Sequence, residues 1–460
     1  MNTRPRVVTL GPCIIDLSTF FKLPTHIYII CEYCEGYIMM LTALWLFILT
    51  YILLLAFPQI GAYIALTSAS VFVVLRILPI DKVFTTVDWN VILMIAGTMG
   101  IVSLFIESRM PSLLADLIIQ RMPDVRWVII SLALFAGVIS AFVDNVATVL
   151  MVAPVALTIA KKLRISPVPG IIAIAISSNL QGAATLVGDT TSILLGGYAN
   201  LDFLDFFFFR NKIGMFWVVQ ISALVSTFIL IFLFRRYNQR INVKSRTIVK
   251  DYFPTVLLLG TVALLILASF IPGKPSVTNG TICVSLFIIG LRREFLKSKD
   301  IKVLSKTLKE IDYFTLLLLI GLFIVIGGIT ESGLTEEISK SFVRISNDDV
   351  FVIYTLIVWA SVLFSAFIDN IPYVATMLPV TSGIAGILGI DPTILYFGLL
   401  AGATLGGNLT PIGASANIAA LGILRKHGYK VGAGEFMRIS VPFTLSAIIV
   451  GYILIWFIWS

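Results

Sequence analysis

Two stretches of otherwise apolar sequence hold an acid in the same setting, Ser140-Ala141-Phe142-Val143-Asp144-Asn145 and Ser365-Ala366-Phe367-Ile368-Asp369-Asn370, 225 positions apart (369 − 144). A charged Asp at mid-bilayer costs ~2.5–3.5 kcal/mol on insertion scales, so a carboxylate inside a membrane segment marks an ion or proton path. Two in matching positions strengthen that reading. Downstream of each acid lies a second polar stretch, Asn179 to Asp189 in one half and Gly406 to Asn417 in the other. Gly, Pro, Thr, Ser and Asn at this density break a helix, which a membrane tolerates only where backbone is buried in protein or lines a cavity. Broken ends offer free carbonyls to a cation and helix N-termini to a negative group. The candidate binding residues are therefore Asp144, Asn145, Thr185, Gly188, Asp189, Asp369, Asn370, Asn408, Thr410, Gly413, Ser415 and Asn417. Asp144, Asp369 and Asp189 are the candidates for proton coupling.

Plainer roles exist for some of these groups. Asp144 and Asp369 would each N-cap the returning arm of a hairpin, although Ser or Asn caps as well without burying a charge. Glu107 and Glu331 end their spans near the interface, where solvation accounts for them as well as function does. Charge narrows the cargo. The site motifs contain no Lys or Arg, and two like charges 4 Å apart repel by ~4 kcal/mol at an effective dielectric of 20. A dianion is disfavoured there; a proton, a small cation or a neutral species fits better.

Other chemistries are poorly served. With no phosphate-cradling loop, ATP hydrolysis would have to come from a separate ATPase subunit. An intramembrane aspartyl protease pairs Tyr-Asp with Gly-x-Gly-Asp, and Leu186-Val187-Gly188-Asp189 lacks the first Gly. Cys31-Glu32-Tyr33-Cys34 has no second pair to complete a zinc site. No cofactor and no metal other than transported Na+ is expected, and the chain reads as a non-enzyme.

The elements that must position these residues are membrane helices. Of 460 residues 58% are apolar and 13% charged, outside the range of soluble globular domains. Runs such as Tyr37–Phe57, Ile213–Phe234, Tyr252–Ile271 and Ser440–Trp459 reach the ~20 residues needed to cross a bilayer. The net charge of +8 sits in short loops, which argues against nucleic acid as partner and for the lipid bilayer. Arg4 and Arg6 precede a broken apolar stretch without a cleavage site, so the first span is expected to act as the insertion signal.

The chain is also written twice. Asp88-Trp89 answers Asp312-Tyr313, Glu107-Ser108 answers Glu331-Ser332, and Gly182, Thr185 and Gly188 align with Gly407, Thr410 and Gly413. A repeat of this length is the signature of transporters whose site lies between two halves. Residues 1–35 form an N-terminal segment without assigned role, 36–235 the first repeat, 236–251 a basic cytoplasmic linker and 252–460 the second repeat. Hairpins are expected at Trp127–Val143 with Val146–Ala160 and at Val350–Phe367 with Ile371–Leu388. Lys and Arg flank only the first, so the two lie on opposite sides and the repeat is inverted. The expectation is an all-α polytopic protein with about ten crossings and two re-entrant hairpins, in the plasma membrane, with both termini external.

Ala-Phe-x-Asp-Asn after a Gly-rich span ending in Glu-Ser, together with Gly406-Gly407-Asn408-Leu409-Thr410-Pro411-Ile412-Gly413-Ala414-Ser415-Ala416-Asn417, resembles the ion transporter superfamily. The nearest branch is the one of arsenite pumps, sodium–proton antiporters and the P-protein, with a citrate-transporter-like membrane domain. Where that family continues Gly-Asp-Pro-Pro-Asn, this chain has Gly188-Asp189-Thr190-Thr191-Ser192. The resemblance implies a scaffold and a mobile, elevator-type transport subdomain in a homodimer. It implies exchange of H+ for a small inorganic ion, as Na+/H+ antiport or arsenite efflux, with sodium-coupled symport of a citrate- or dicarboxylate-like anion as the alternative.

Overall fold

The computed structural model describes residues 7–10, 13–16, 24–163, 165–240, 247–299 and 301–460. The side chains of residues 1–35, Cys31 and Cys34 among them, lie outside the described residues. Two strands, β1 (Val7–Leu10) and β2 (Cys13–Asp16), pair antiparallel ahead of the helices. The first half then runs α1 (Pro24–Ala56), α2 (Gly61–Val74), α3 (Val83–Thr86), α4 (Trp89–Glu107), α5 (Met110–Ile119), α6 (Val125–Ser140), α7 (Asn145–Leu163), α8 (Val168–Gly182) and α9 (Thr190–Tyr198). A two-residue hairpin, β3 (Phe208–Phe209) with β4 (Lys212–Ile213), leads into α10 (Met215–Leu233). The second half runs α11 (Phe253–Ser269), α12 (Thr278–Ser298), α13 (Ile301–Lys309), α14 (Tyr313–Glu331), α15 (Leu334–Ser346), α16 (Val350–Ser365), α17 (Asn370–Leu388), α18 (Thr393–Gly406), α19 (Ser415–Lys426) and α20 (Ala433–Trp459). Each helix of the first half thus has its counterpart ten labels later.

The same residues start the matching helices. Asp88 caps α4 by accepting from the Val91 amide at 3.1 Å, and Asp312 caps α14 by accepting from the Thr315 amide at 3.1 Å. Asp124 does this for α6 through Trp127 at 3.0 Å, and Asp349 for α16 through Phe351 at 2.8 Å. Such caps satisfy amides that a helix leaves open at its start. Among the described residues, seven helices are long and apolar enough to cross a membrane, or eight if a bent pair counts as one span. The broken pairs α8/α9 and α18/α19, whose arms are each too short alone, fall outside that count.

The chain forms two compact units, Met1–Val87 with Gly321–Ile338, and Asp88–Ile320 with Ser339–Ser460. In the first, a Cβ on Gly321 would sit 2.6 Å from the Ala65 carbonyl carbon, so glycine lets the backbones of α14 and α2 meet. Lys82 bonds Glu331 there at 2.7 Å. In the second, α4 packs along α12, α6 against α8, α16 against α18 and α10 against α20. Lys306 bonds Glu107 at 2.5 Å, the same pairing made by the repeat counterparts of Lys82 and Glu331. The basic linker is stitched down. Arg126 and Val125 amides donate to the Tyr237 and Gln239 carbonyls, Thr247 donates to Asp116, and Asp251 takes a two-pronged bond from Arg293 at 2.5 and 3.2 Å. That guanidinium holds the Asp251 carboxyl well below the usual carboxylate range.

Candidate functional site

In both halves the chain turns back at the acid. α6 ends at Ser140 and α7 starts at Asn145; α16 ends at Ser365 and α17 starts at Asn370. Asp144 Oδ1 accepts from the Ala147 amide and Asp369 Oδ1 from the Ile371 amide, each at 3.0 Å. Both acids are caps, and capping occupies one oxygen of each. The other oxygen of Asp369 accepts from the Ser415 hydroxyl at 3.0 Å.

Behind each tip stands a frame of backbone carbonyls built identically in the two halves. The Thr185 hydroxyl donates to the Ala141 carbonyl, and Thr410 donates to Ala366. A Cβ on Gly188 would stand 2.7 Å from Gly182 O and 3.0 Å from the Ser140 and Ala141 oxygens. On Gly413 it would stand 2.7 Å from Gly407 O, Ala366 O and Ser365 O. Only glycine fits either place, because the broken stretch presses on the end of the hairpin arm. Ser192 Oγ donates to Gly182 O at 3.0 Å, and Asn417 Nδ2 to Gly407 O at 3.1 Å and Thr410 O at 3.2 Å. The Oδ1 atoms of Asn408 and Asn417 are buried acceptors without a hydrogen-bond partner.

The two frames are tied across the repeat. Asn179 Nδ2 donates to Thr404 O at 2.7 Å, and Asn408 Nδ2 returns the bond to Ile176 O at 2.9 Å. Asp189 caps α9 through the Thr190 amide at 2.8 Å. Its second oxygen accepts from Thr191 at 2.8 Å and from Asn370 of the other half at 3.2 Å. Asn145 accepts from Ser140 at 2.6 Å and donates to Asn179 at 3.1 Å.

Between the tips lies a cavity of about 260 Å³. Four carboxylates line it, Asp144, Asp189, Glu310 and Asp312, together with the amides of Asn145, Asn179 and Asn370. Hydroxyls come from Ser103, Thr190, Thr315 and Ser415, apolar walls from Met99, Val102, Ile106, Leu150 and Ile371, and none of the lining residues is Lys or Arg. Of the residues singled out from sequence, Asp144, Asn145, Asp189, Asn370 and Ser415 are at the cavity surface, and Asp369 reaches it through Ser415. Thr185, Gly188, Asn408, Thr410, Gly413 and Asn417 stand behind it as the carbonyl frame. Glu107 is held by Lys306 and Glu331 by Lys82. Sequence reasoning passed over Asn179, Glu310 and Asp312. The one signal for Asp312 was its alignment with Asp88.

This arrangement of paired tips, paired breaks and a carboxylate-lined cavity can be set against known proteins. The profile of a family described as citrate transporters matches residues 46–402. The chain belongs to that family. It is 31% identical to a 46 kDa membrane protein of Mycobacterium leprae over 434 residues, covering 91% of this chain and 98% of that one. It is 30% identical to an uncharacterized transporter of Mycobacterium tuberculosis over 447 residues, with the same coverage of 91% and 98%. The mouse P protein is 28% identical over 452 residues, covering 80% of this chain and 54% of that protein. Among solved structures the fold is similar to the YdaH transporter of Alcanivorax borkumensis (TM-score 0.58, 14% identity, 81% of this chain and 86% of that one). It is also similar to MtrF of Neisseria gonorrhoeae, reported among antimetabolite efflux pumps (TM-score 0.52, 14% identity, 80% of each chain). The protein is a multi-pass membrane transporter of the ion transporter superfamily.

Proposed function

We propose that this transporter exchanges protons for a small inorganic cation, with Na+ as the leading cargo. One observation carries the reading: the cavity between the hairpin tips is lined by four carboxylates and no base. At an effective dielectric of 20, a second negative charge 4 Å from a carboxylate is opposed by ~4 kcal/mol. A cation or a proton relieves that repulsion, and the two compete for the same oxygens. Exchange follows, because the site returns across the membrane carrying one or the other.

Among the described residues no three His, Cys, Asp or Glu side chains converge to hold a metal ion. The cation is therefore shared between one or two carboxylates and neutral oxygens, the amides of Asn145 and Asn370 and the hydroxyls of Thr190 and Ser415. Such a site binds weakly enough to release its cargo. The unpartnered Oδ1 atoms of Asn408 and Asn417 are further acceptors within the frame. Arsenous acid, neutral and rich in hydroxyls, suits the same amides. The family description favours a citrate-like anion, which would need cations in the cavity first.

The elevator movement, homodimer, plasma-membrane location and external termini belong to the same proposal. Purified protein in liposomes with a pH-sensing dye inside tests it, with Na+, Li+, arsenite and citrate supplied in turn. Proton efflux that follows an imposed Na+ or Li+ gradient, with apparent cation affinity rising with pH, is the expected result. Flux that requires citrate, or arsenite movement without Na+ dependence, would overturn it.

A further inference from the structure

Glu310 borders two spaces. It lines the inner cavity and also, with Ser305, Lys306 and Lys309, an open outer vestibule of about 390 Å³. Asp312 stands beside it on the cavity wall, exposed, as the cap of α14. We propose that Asp312, assisted by Glu310, is the entry acid of the transport site: it captures the cation at the mouth and hands it inward to Asp144 and Asp189. This inference rests on the cation-exchange reading.

The repeat supplies the main argument. Asp88, the counterpart of Asp312, also caps its helix, but α9 closes over it: a Cβ on Gly197 would stand 2.4 Å from Asp88 Oδ2. At Gly422 of α19, the counterpart of Gly197, nothing lies within 4 Å of the same Cβ position. One cap is therefore packed against a helix, and the other is left open at the cavity. The caps are equivalent in sequence and different in surroundings.

Charge points the same way. The Asp312 carboxylate lines the same cavity as Asp144 and Asp189, the acids that would receive the cation. Of the two vestibule bases, Lys306 is already paired, bonding Glu107 at 2.5 Å. The side-chain partner of Asp312 is Thr315, donating at 2.7 Å to Oδ2 and through its amide to Oδ1. An acid placed at the mouth of a walled cavity concentrates cations there and speeds their entry by ~10-fold or more, an effect that salt screens.

The test uses Asp312→Asn, which keeps the cap but not the charge. In proteoliposomes, with Na+ as the probe, this variant should raise KM for Na+ about tenfold and keep proton coupling, with a smaller effect on kcat. The difference in KM should shrink as ionic strength is raised with an impermeant salt. Glu310→Gln should shift KM in the same direction by less, because Lys309 also lines the vestibule beside it. Should Asp312→Asn fail to fold, Asp312→Ser, another capping residue without charge, takes its place. An unchanged KM overturns the proposal, and so does loss of proton coupling, which would put Asp312 among the inner acids. Wild-type protein without Na+-dependent proton flux removes the cation-exchange reading itself, and that is read before any variant is compared.

Discussion

Compared residue by residue, the two hairpin tips share a scaffold and differ in chemistry. Thr185 and Thr410 hold equivalent carbonyls, Gly188 and Gly413 admit equivalent contacts, and Ser192 and Asn417 bond equivalent glycine oxygens. The break that follows each tip then diverges. Asp189 stands in the first half where the second has Ala414, 225 positions on (414 − 189), and α19 starts without a side-chain cap. Asn370 of the second half reaches across to Asp189, whereas Asn145 turns back to Ser140 and Asn179. Duplication supplied the frame twice, because a broken membrane helix needs its carbonyls satisfied wherever it occurs. The acid of the break is present once.

The largest test of that asymmetry is Asp189→Ala, which makes the first break resemble the second. Proton-coupled cation flux in liposomes should fall roughly 100-fold, about 2.7 kcal/mol, since Asn370, Thr191 and the Thr190 amide lose their acceptor together with the charge. Adding Ala414→Asp to that variant asks whether the half matters. Full recovery would show the halves to be interchangeable and defeat the comparison.

A smaller effect separates the two tips. Asn caps a helix as well as Asp does, so Asp144→Asn and Asp369→Asn should both purify folded. Asp144 lines the cavity directly, while Asp369 is engaged by Ser415. Asp144→Asn should therefore flatten the pH dependence and reduce proton-driven flux about tenfold, or ~1.4 kcal/mol. Asp369→Asn should keep the wild-type pH profile with a change of only a few fold. Equal losses would mean that the tips share the coupling role, and equal retention would make both acids caps alone.

The smallest test concerns the shared frame. Thr185→Val and Thr410→Val each leave a buried carbonyl without its donor, at ~1–3 kcal/mol. Thermal unfolding in detergent should shift by similar amounts in the two variants, with transport following stability in both. A large shift in one and none in the other would show that one frame is incidental.

The sequence by itself determined the class of protein, the duplication, the tip acids and the positions of both breaks. These follow from local rules: apolar length sets spans, acids and glycines in apolar runs are expensive, and equivalent segments repeat their helices. Asp144, Asn145, Asp189, Asn370 and Ser415 could be singled out because each sits inside such a run or break and later lines the cavity. Asp312 could not be singled out in this way. It begins a helix beside an aromatic residue, as Asp88 does, and that shared pattern does not distinguish them. Only the packing of α9 and α19 decides that Asp88 is covered and Asp312 open. Asn179 is similar, one polar residue among several in its stretch until its bond to the Thr404 carbonyl fixes it at the seam between halves. The chain's pattern sets which groups are available; which of them share a cavity depends on contacts between residues far apart in sequence, and only the folded structure makes those.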